Sequence, residues 1–146
     1  MKIPESVLVV IYTPDGEVLL LDRADHPGFW QSVTGSLEPG DADLAATCAR
    51  EVEEETGLRV STGQFDDWNL QHRYQIYPQW RHRYAAGVTH NTEHVFGLRV
   101  EHRFDPRLHS REHRAFRWLP WRDAADACFS WTNAAAIREL AHRLRR

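Results

Sequence analysis

Arg50-Glu51-Val52-Glu53-Glu54-Glu55-Thr56-Gly57-Leu58, preceded by the loop Gly35-Ser36-Leu37-Glu38-Pro39-Gly40, is the stretch on which the reading of this chain turns. Four carboxylates fall in the five positions 51 to 55. On a helix, Glu51, Glu54 and Glu55 stand at i, i+3 and i+4 and share a surface, where like charges repel unless a cation is bound. A hard divalent ion takes oxygen ligands and keeps waters and phosphate oxygens in its shell. Glu51 and Glu55, one turn apart, can chelate one ion, and Glu54 can bind a second. Arg50, four residues before Glu54, can hold that carboxylate in place. The glycine loop lets backbone approach a metal or phosphate closely. The plainer alternative is a solvated acidic helix face, which composition alone favours. The ordered word R-E-x-x-E-E-x-G, with a glycine upstream, reverses that preference.

Outward from this stretch, the helix is expected to start at a cap on Asp41 or Asp43 and to stop at Gly57. Ala45, Cys48, Ala49 and Val52 form its apolar inner face. Upstream, Val7 to Tyr12 reads as a buried strand, Thr13-Pro14-Asp15-Gly16 as a type I turn, and Glu17 to Arg23 as the return strand. Asp25-His26-Pro27-Gly28 is a loop, and Phe29 to Ser36 is strand-like. Downstream, strands are expected around Asn69 to Tyr77, Thr92 to Val100 and Ala115 to Leu119. A final helix, capped by Thr132 or Asn133, ends in the cations of Arg143-Leu144-Arg145-Arg146. Strands with two helices predict an α/β sandwich around a mixed sheet.

The composition suits one domain spanning residues 1–146: 42% hydrophobic and 27% charged residues are an ordinary globular balance. A net charge of −3 argues against a polyanion binder, so phosphate attraction must be local. No apolar run approaches membrane-spanning length, and Met1 to Glu5 has no signal-peptide layout. Cys48 and Cys128 form no C-x-x-C pair, which points to a reducing cytoplasm.

Gly35, Arg50, Glu51, Val52, Glu54, Glu55, Gly57 and Leu58 resemble the signature box of the Nudix hydrolases. The resemblance implies an α/β/α sandwich around a mixed sheet. It also implies Mg²⁺-dependent cleavage of a diphosphate linked to another group, with Mn²⁺ as the alternative ion. There is one departure. The family places a Glu six positions after the first glycine and nine before the position of Glu51; here the first spacing lands on Asp41, ten before Glu51. Asp41 or Asp43 takes over that residue's supporting role.

Further stretches narrow the resemblance. They are Phe29 to Gly35, Arg81 to Tyr84 with Gly87 to Thr89 and Asn91 to Glu93, and Ser130 to Asn133. With Ser6 to Tyr12 and Val18 to Arg23, they resemble the branch of the family that cleaves dihydroneopterin triphosphate in bacterial folate synthesis, releasing pyrophosphate. This implies a metal site of Glu51, Glu54, Glu55 and Glu112, with Glu51, Glu54 and Glu112 as catalytic carboxylates and Glu51 or Glu112 as the base. It implies substrate contacts from Lys2, Arg23, Thr34, Tyr74, Gln75, Ile76, Tyr77 and Ser130, those of residues 74 to 77 through backbone. Gly35, Arg50 and Gly57 support the site.

The residues themselves agree with such a substrate. Lys2, Arg23, Arg81 and Arg83 can meet a triphosphate. Trp30, Tyr74 or Tyr77 can cover a flat ring. A histidine metal site is not expected, because His109 and His113 lack an H-E-x-x-H word. The other readings are a nucleoside triphosphate substrate, such as an oxidised dGTP or dATP, and a binding module without chemistry. The second fits poorly with three intact box carboxylates. Single-stranded nucleic acid on the basic-aromatic stretch from Gln71 to His94 ranks well below a small phosphorylated substrate.

Overall fold

The computed structural model describes residues 1–144. Two strands occupy the centre of a seven-stranded mixed sheet. They are β1 (Glu5–Tyr12) and its return strand β2 (Glu17–Arg23), joined by a turn in which Gly16 N–H donates to Thr13 O at 2.9 Å. The run expected over Phe29 to Ser36 divides into β3 (Trp30–Gln31) and β4 (Val33–Ser36). The break falls at Ser32, whose N–H donates to Asn133 Oδ1 at 2.9 Å rather than to a strand. β4 runs antiparallel to β1, with Val7 opposite Gly35.

Next come α1 (Leu44–Thr56), β5 (Asp66–Gln75), β6 (His90–Arg99) and β7 (His113–Pro120). Along the main path the strand order is β3-β2-β1-β6-β5, with β7 on β2. β1 and β6 are parallel and the other pairings antiparallel. Tyr77 lies past the end of β5, in front of a 3-10 turn over Pro78–Arg83.

Successive residues of a strand face opposite sides, and β1 is apolar on both. Val7, Val9 and Ile11 join Leu19, Leu21, Cys48, Val52, Phe96 and Leu98 under α1. Leu8 and Val10 join Val18, Leu20, Val95 and the helices on the other face. This two-sided burial explains the unbroken apolar run where a half-exposed strand would alternate.

The second helical layer departs from expectation. Among the described residues it has three short helices, α2 (Trp121–Ala127), α3 (Trp131–Arg138) and α4 (Leu140–Arg143), where one was expected. α2 follows Pro120 directly and buries Ala124 and Ala125. Ser130, rather than Thr132 or Asn133, caps α3, its side chain accepting from Thr132 N–H at 3.2 Å. Thr132 and Asn133 are instead buried inside the helix. Arg143 lies over Trp68, 4.7 Å from the ring centroid, so packing accounts for it as well as the helix end. Arg145 and Arg146 lie outside the described residues.

Candidate active site

The layout of α1 sets the site. Asp43 caps it, accepting from Ala46 N–H at 2.8 Å, and Gly57 ends it in the left-handed region at φ 79°. Its inner stripe is Cys48, Glu51, Val52 and Glu55, all buried, whereas Ala45 and Ala49 are only half-buried. Two carboxylates thus occupy core-facing positions, at i and i+4. Glu54 points away at the rim and is exposed. The shared face expected for Glu51, Glu54 and Glu55 is therefore two buried groups and one at its edge.

Arg50 holds the glycine loop to the helix. Its guanidinium donates to Asp41 Oδ1 at 3.1 Å and Oδ2 at 2.9 Å, to Ser36 O at 3.0 Å and to Glu51 Oε1 at 2.7 Å. Glu54, the partner expected for it, is a secondary contact at 3.6 Å. Asp41 also accepts from Glu38 N–H and Thr47 Oγ1. The choice between the two aspartates is thereby decided: Asp43 caps, and Asp41 supports Arg50. The Arg50 hydrogen bonds hold the Asp41 carboxyl well below the usual carboxylate range, against the effect of desolvation.

Burial pushes Glu55 well above its ordinary pKa, and the charges of Glu51 and Glu112 push the same way. Its Oε1 finds no hydrogen-bond partner among the described residues. Burial also raises Glu51, with Glu54 adding to the rise and Arg50 opposing it. Gly35 lies against the Glu51 carboxylate so closely that a Cβ there would overlap Glu51 Cγ, Cδ and Oε2.

Among the described residues, no three histidine, cysteine or acidic side chains close on one point tightly enough to hold an ion unaided. An all-oxygen set with a buried, unpartnered carboxylate oxygen nevertheless suits a hard cation, which completes its shell with water and substrate oxygens.

His113 is a site residue that was weighed from the sequence only as a metal ligand, with His109, and set aside. It is 4% exposed, and its Nε2 lies 3.8 Å from Glu55 Oε1. Burial, reinforced by the charge of Arg23, lowers its pKa to about 4, so it is neutral beside the carboxylates. The only available signal was its place next to Glu112.

A cleft of about 1100 Å³ runs from these carboxylates across the end of the sheet. Glu51, Glu54, Glu55, Glu112, Lys2, Arg23, Thr34, Tyr74, Gln75, Ile76, Tyr77, Ser130, Gly35 and Arg50 all line it, whereas Gly57 does not. Several of these groups are already engaged. Arg23 donates to both Asp25 oxygens, at 2.8 and 2.7 Å, and lies over Trp80. The Ile76 backbone donates to Thr89 O and accepts from Arg81 Nε, and its side chain is buried. Arg81 thus braces this segment and does not line the cleft, contrary to its expected role toward phosphate. Arg83 and Lys2 do line it, and burial followed by Arg83 lowers the Lys2 pKa.

Of the rings expected to cover a flat substrate, Trp30 has Arg117 over it and Tyr77 packs against Trp80 and Phe129. Trp131, 62% exposed at the start of α3, is the more open ring on the cleft.

Residues 2–140 match the NUDIX domain family. The chain is 43% identical over 142 residues to the dihydroneopterin triphosphate diphosphatase of Escherichia coli K12, covering 95% of this chain and 93% of that protein. It is 43% identical over 146 residues to the protein of the same name from Haemophilus influenzae, covering 97% and 90%. The structure of the E. coli dihydroneopterin triphosphate pyrophosphohydrolase superimposes with a TM-score of 0.87 at 42% identity over 94% of each chain. Taken with the glutamate helix, the Gly35 cradle and the sandwiched sheet, these likenesses mean that the chain belongs to the NUDIX family.

Proposed function

We propose that this chain hydrolyses dihydroneopterin triphosphate to dihydroneopterin monophosphate and pyrophosphate, a step of folate synthesis. The observation that carries the reading is near-full-length identity of 43% to enzymes of that name. The cleft supports it, since it joins a carboxylate cluster to an aromatic, polar recess within one cavity.

Glu51, Glu55 and Glu112 would hold a divalent cation, Mg²⁺ or Mn²⁺, with Glu54 at the rim. Such an ion, when bound, neutralises charge on the phosphate oxygens as phosphoryl transfer proceeds. Arg50 fixes Glu51, and Gly35 leaves room for it against the sheet. Water gives up its proton to Glu51 or Glu112. Lys2, Arg23 and Arg83 line the phosphate path. Ser130 and the segment from Tyr74 to Tyr77 border the ring. A cytoplasmic setting belongs to the same proposal, because Cys48 and Cys128 are free thiols.

The test is turnover with Mg²⁺ on dihydroneopterin triphosphate beside a panel of nucleoside triphosphates. The expected result is preference for the pterin and release of pyrophosphate. A clear preference for a nucleotide, or orthophosphate as the only product, would overturn the proposal.

A further inference from the structure

The carboxylate cluster accounts for the chemistry at one end of the cleft, but the contacts named so far at the other end do not say which ring it selects. At that other end β6 presents Asn91 and Glu93, two positions apart on one face, at 1% and 2% exposure. The neighbouring strands bring His72 opposite Glu93, Tyr74 opposite Asn91, and Ser6 beside Glu93. Asn91 Nδ2 donates to Ser6 Oγ at 2.7 Å and to Tyr74 Oη at 3.1 Å. With the amide in this orientation its Oδ1 is left without a partner among the described residues. Glu93 Oε1 is likewise without a hydrogen bond there. The group facing it is His72 Nδ1 at 3.7 Å, too far for a hydrogen bond. Buried acceptors in folded proteins are nearly always partnered. Here two unpartnered ones occur side by side, on residues that line the cleft. Trp131 stands over this corner, its ring edge-on to His72 at 5.4 Å.

Two adjacent acceptors under an aromatic ring call for a flat ligand with two adjacent donors. We propose that Glu93 is a specificity-determining residue. Its carboxylate accepts from the ring N–H and the exocyclic amino group of a 2-amino-4-oxo-pyrimidine ring, with Asn91 Oδ1 as the adjoining acceptor and Trp131 against the ring face. This deepens the proposed function and rests on it, since a pterin carries that edge. It also ranks other substrates. Guanine shows the same pair of donors, whereas adenine, cytosine and uracil do not, so side activity on nucleotides falls on guanine triphosphates.

The experiment compares neopterin with its 2-oxo counterpart, a lumazine, by ring fluorescence on the native chain, then on Glu93→Gln and Trp131→Ala. The native chain is expected to bind the amino ring about 10- to 100-fold more tightly, the range of a good two-point hydrogen-bond contact. Glu93→Gln should reduce that preference to about twofold and raise KM for the triphosphate more than it lowers kcat. Trp131→Ala should weaken both rings alike. Equal binding of the two rings by the native chain overturns the proposal, and needs no variant to fold. So does full discrimination by Glu93→Gln, or no saturable binding of neopterin up to millimolar concentration. Lack of turnover on dihydroneopterin triphosphate would overturn the proposed function instead, because the ring preference is read by binding alone.

Discussion

Replacing Gly35 by alanine tests whether the placement of Glu51 limits the reaction. The backbone of Gly35 is held in β4 opposite Val7, and its φ lies outside the left-handed region, so alanine meets no backbone strain. The new Cβ would instead fall on Glu51 Cγ, Cδ and Oε2. Restoring ordinary carbon contact at about 3.5 Å requires those atoms to retreat by about 1 Å or more. The strand is held by its ladder to β1, whereas the clashing atoms belong to a side chain, so the displacement falls on the flexible end of Glu51. A misplacement of about 1 Å costs on the order of 100-fold in rate, or about 2.7 kcal/mol in the barrier. Overpacking costs about 1–3 kcal/mol of stability. Steady-state kinetics with Mg²⁺ titration and a thermal melt separate the two effects. The expected outcome is a folded protein with kcat down about 100-fold and a weakened dependence on Mg²⁺. A folded Gly35→Ala enzyme with native kcat, or one altered in KM alone, would refute the reasoning.

Glu55→Gln should lower turnover by about 10²- to 10³-fold while making the metal-free chain more stable at alkaline pH. The folded pKa of Glu55 is raised, so its contribution is full below the unfolded value of about 4.3 and is lost as pH rises through the folded one. Chemical denaturation in chelator across this range checks it; an unchanged slope in the variant would contradict the assignment. Arg50→Ala should destabilise by about 2 kcal/mol, discounted for partial exposure, with the loss read from urea midpoints. Asp41 has a lowered folded pKa, so its contribution is present above about pH 3.9 and is lost as pH falls toward the folded value. Asp41→Asn should flatten that acid limb. His113 is lowered from about 6.5 to about 4, so its share of stability is present above pH 6.5 and disappears as pH falls through 4. An NMR titration of its ring that placed the midpoint near 6.5 would show that the site is wetter than the structure has it.

What was legible in the sequence is what short-range geometry controls. The α1 boundaries follow from Asp43 and Gly57, local devices that act within one turn. β1 and β2 could be read from an unbroken apolar run, because both faces of the sheet are covered. α2 was missed because seven residues with two inward alanines give little periodic signal. The cap of α3 was misplaced because Ser130, Thr132 and Asn133 are all plausible caps by type. Only the fold shows Asn133 spent on Ser32 N–H, on the far side of the chain. Asp41 and Asp43 were likewise equivalent by composition until Arg50 reached back across nine residues.

The two ends of the cleft differ in the same way. Most of the carboxylate end is written within one helix and its preceding loop, where spacing reveals it; Glu112 and His113 join it from beside β7. The ring end is assembled from β1, β5, β6 and the start of α3, with Ser6 and Asn91 85 residues apart at their hydrogen bond. No single window of sequence contains that end; Asn91 to Glu93 and Ser130 to Asn133 carry part of the resemblance, but Glu93 by itself reads as one more charged residue on a strand. Its burial and its lack of a donor give it meaning, and both arise only once β6 is paired on each side. A fold that keeps phosphate chemistry local and distributes ring recognition over distant strands can change its substrate without disturbing its helix. The reaction class of this chain is therefore set by α1, and the choice of ring is made at Asn91, Glu93 and Trp131.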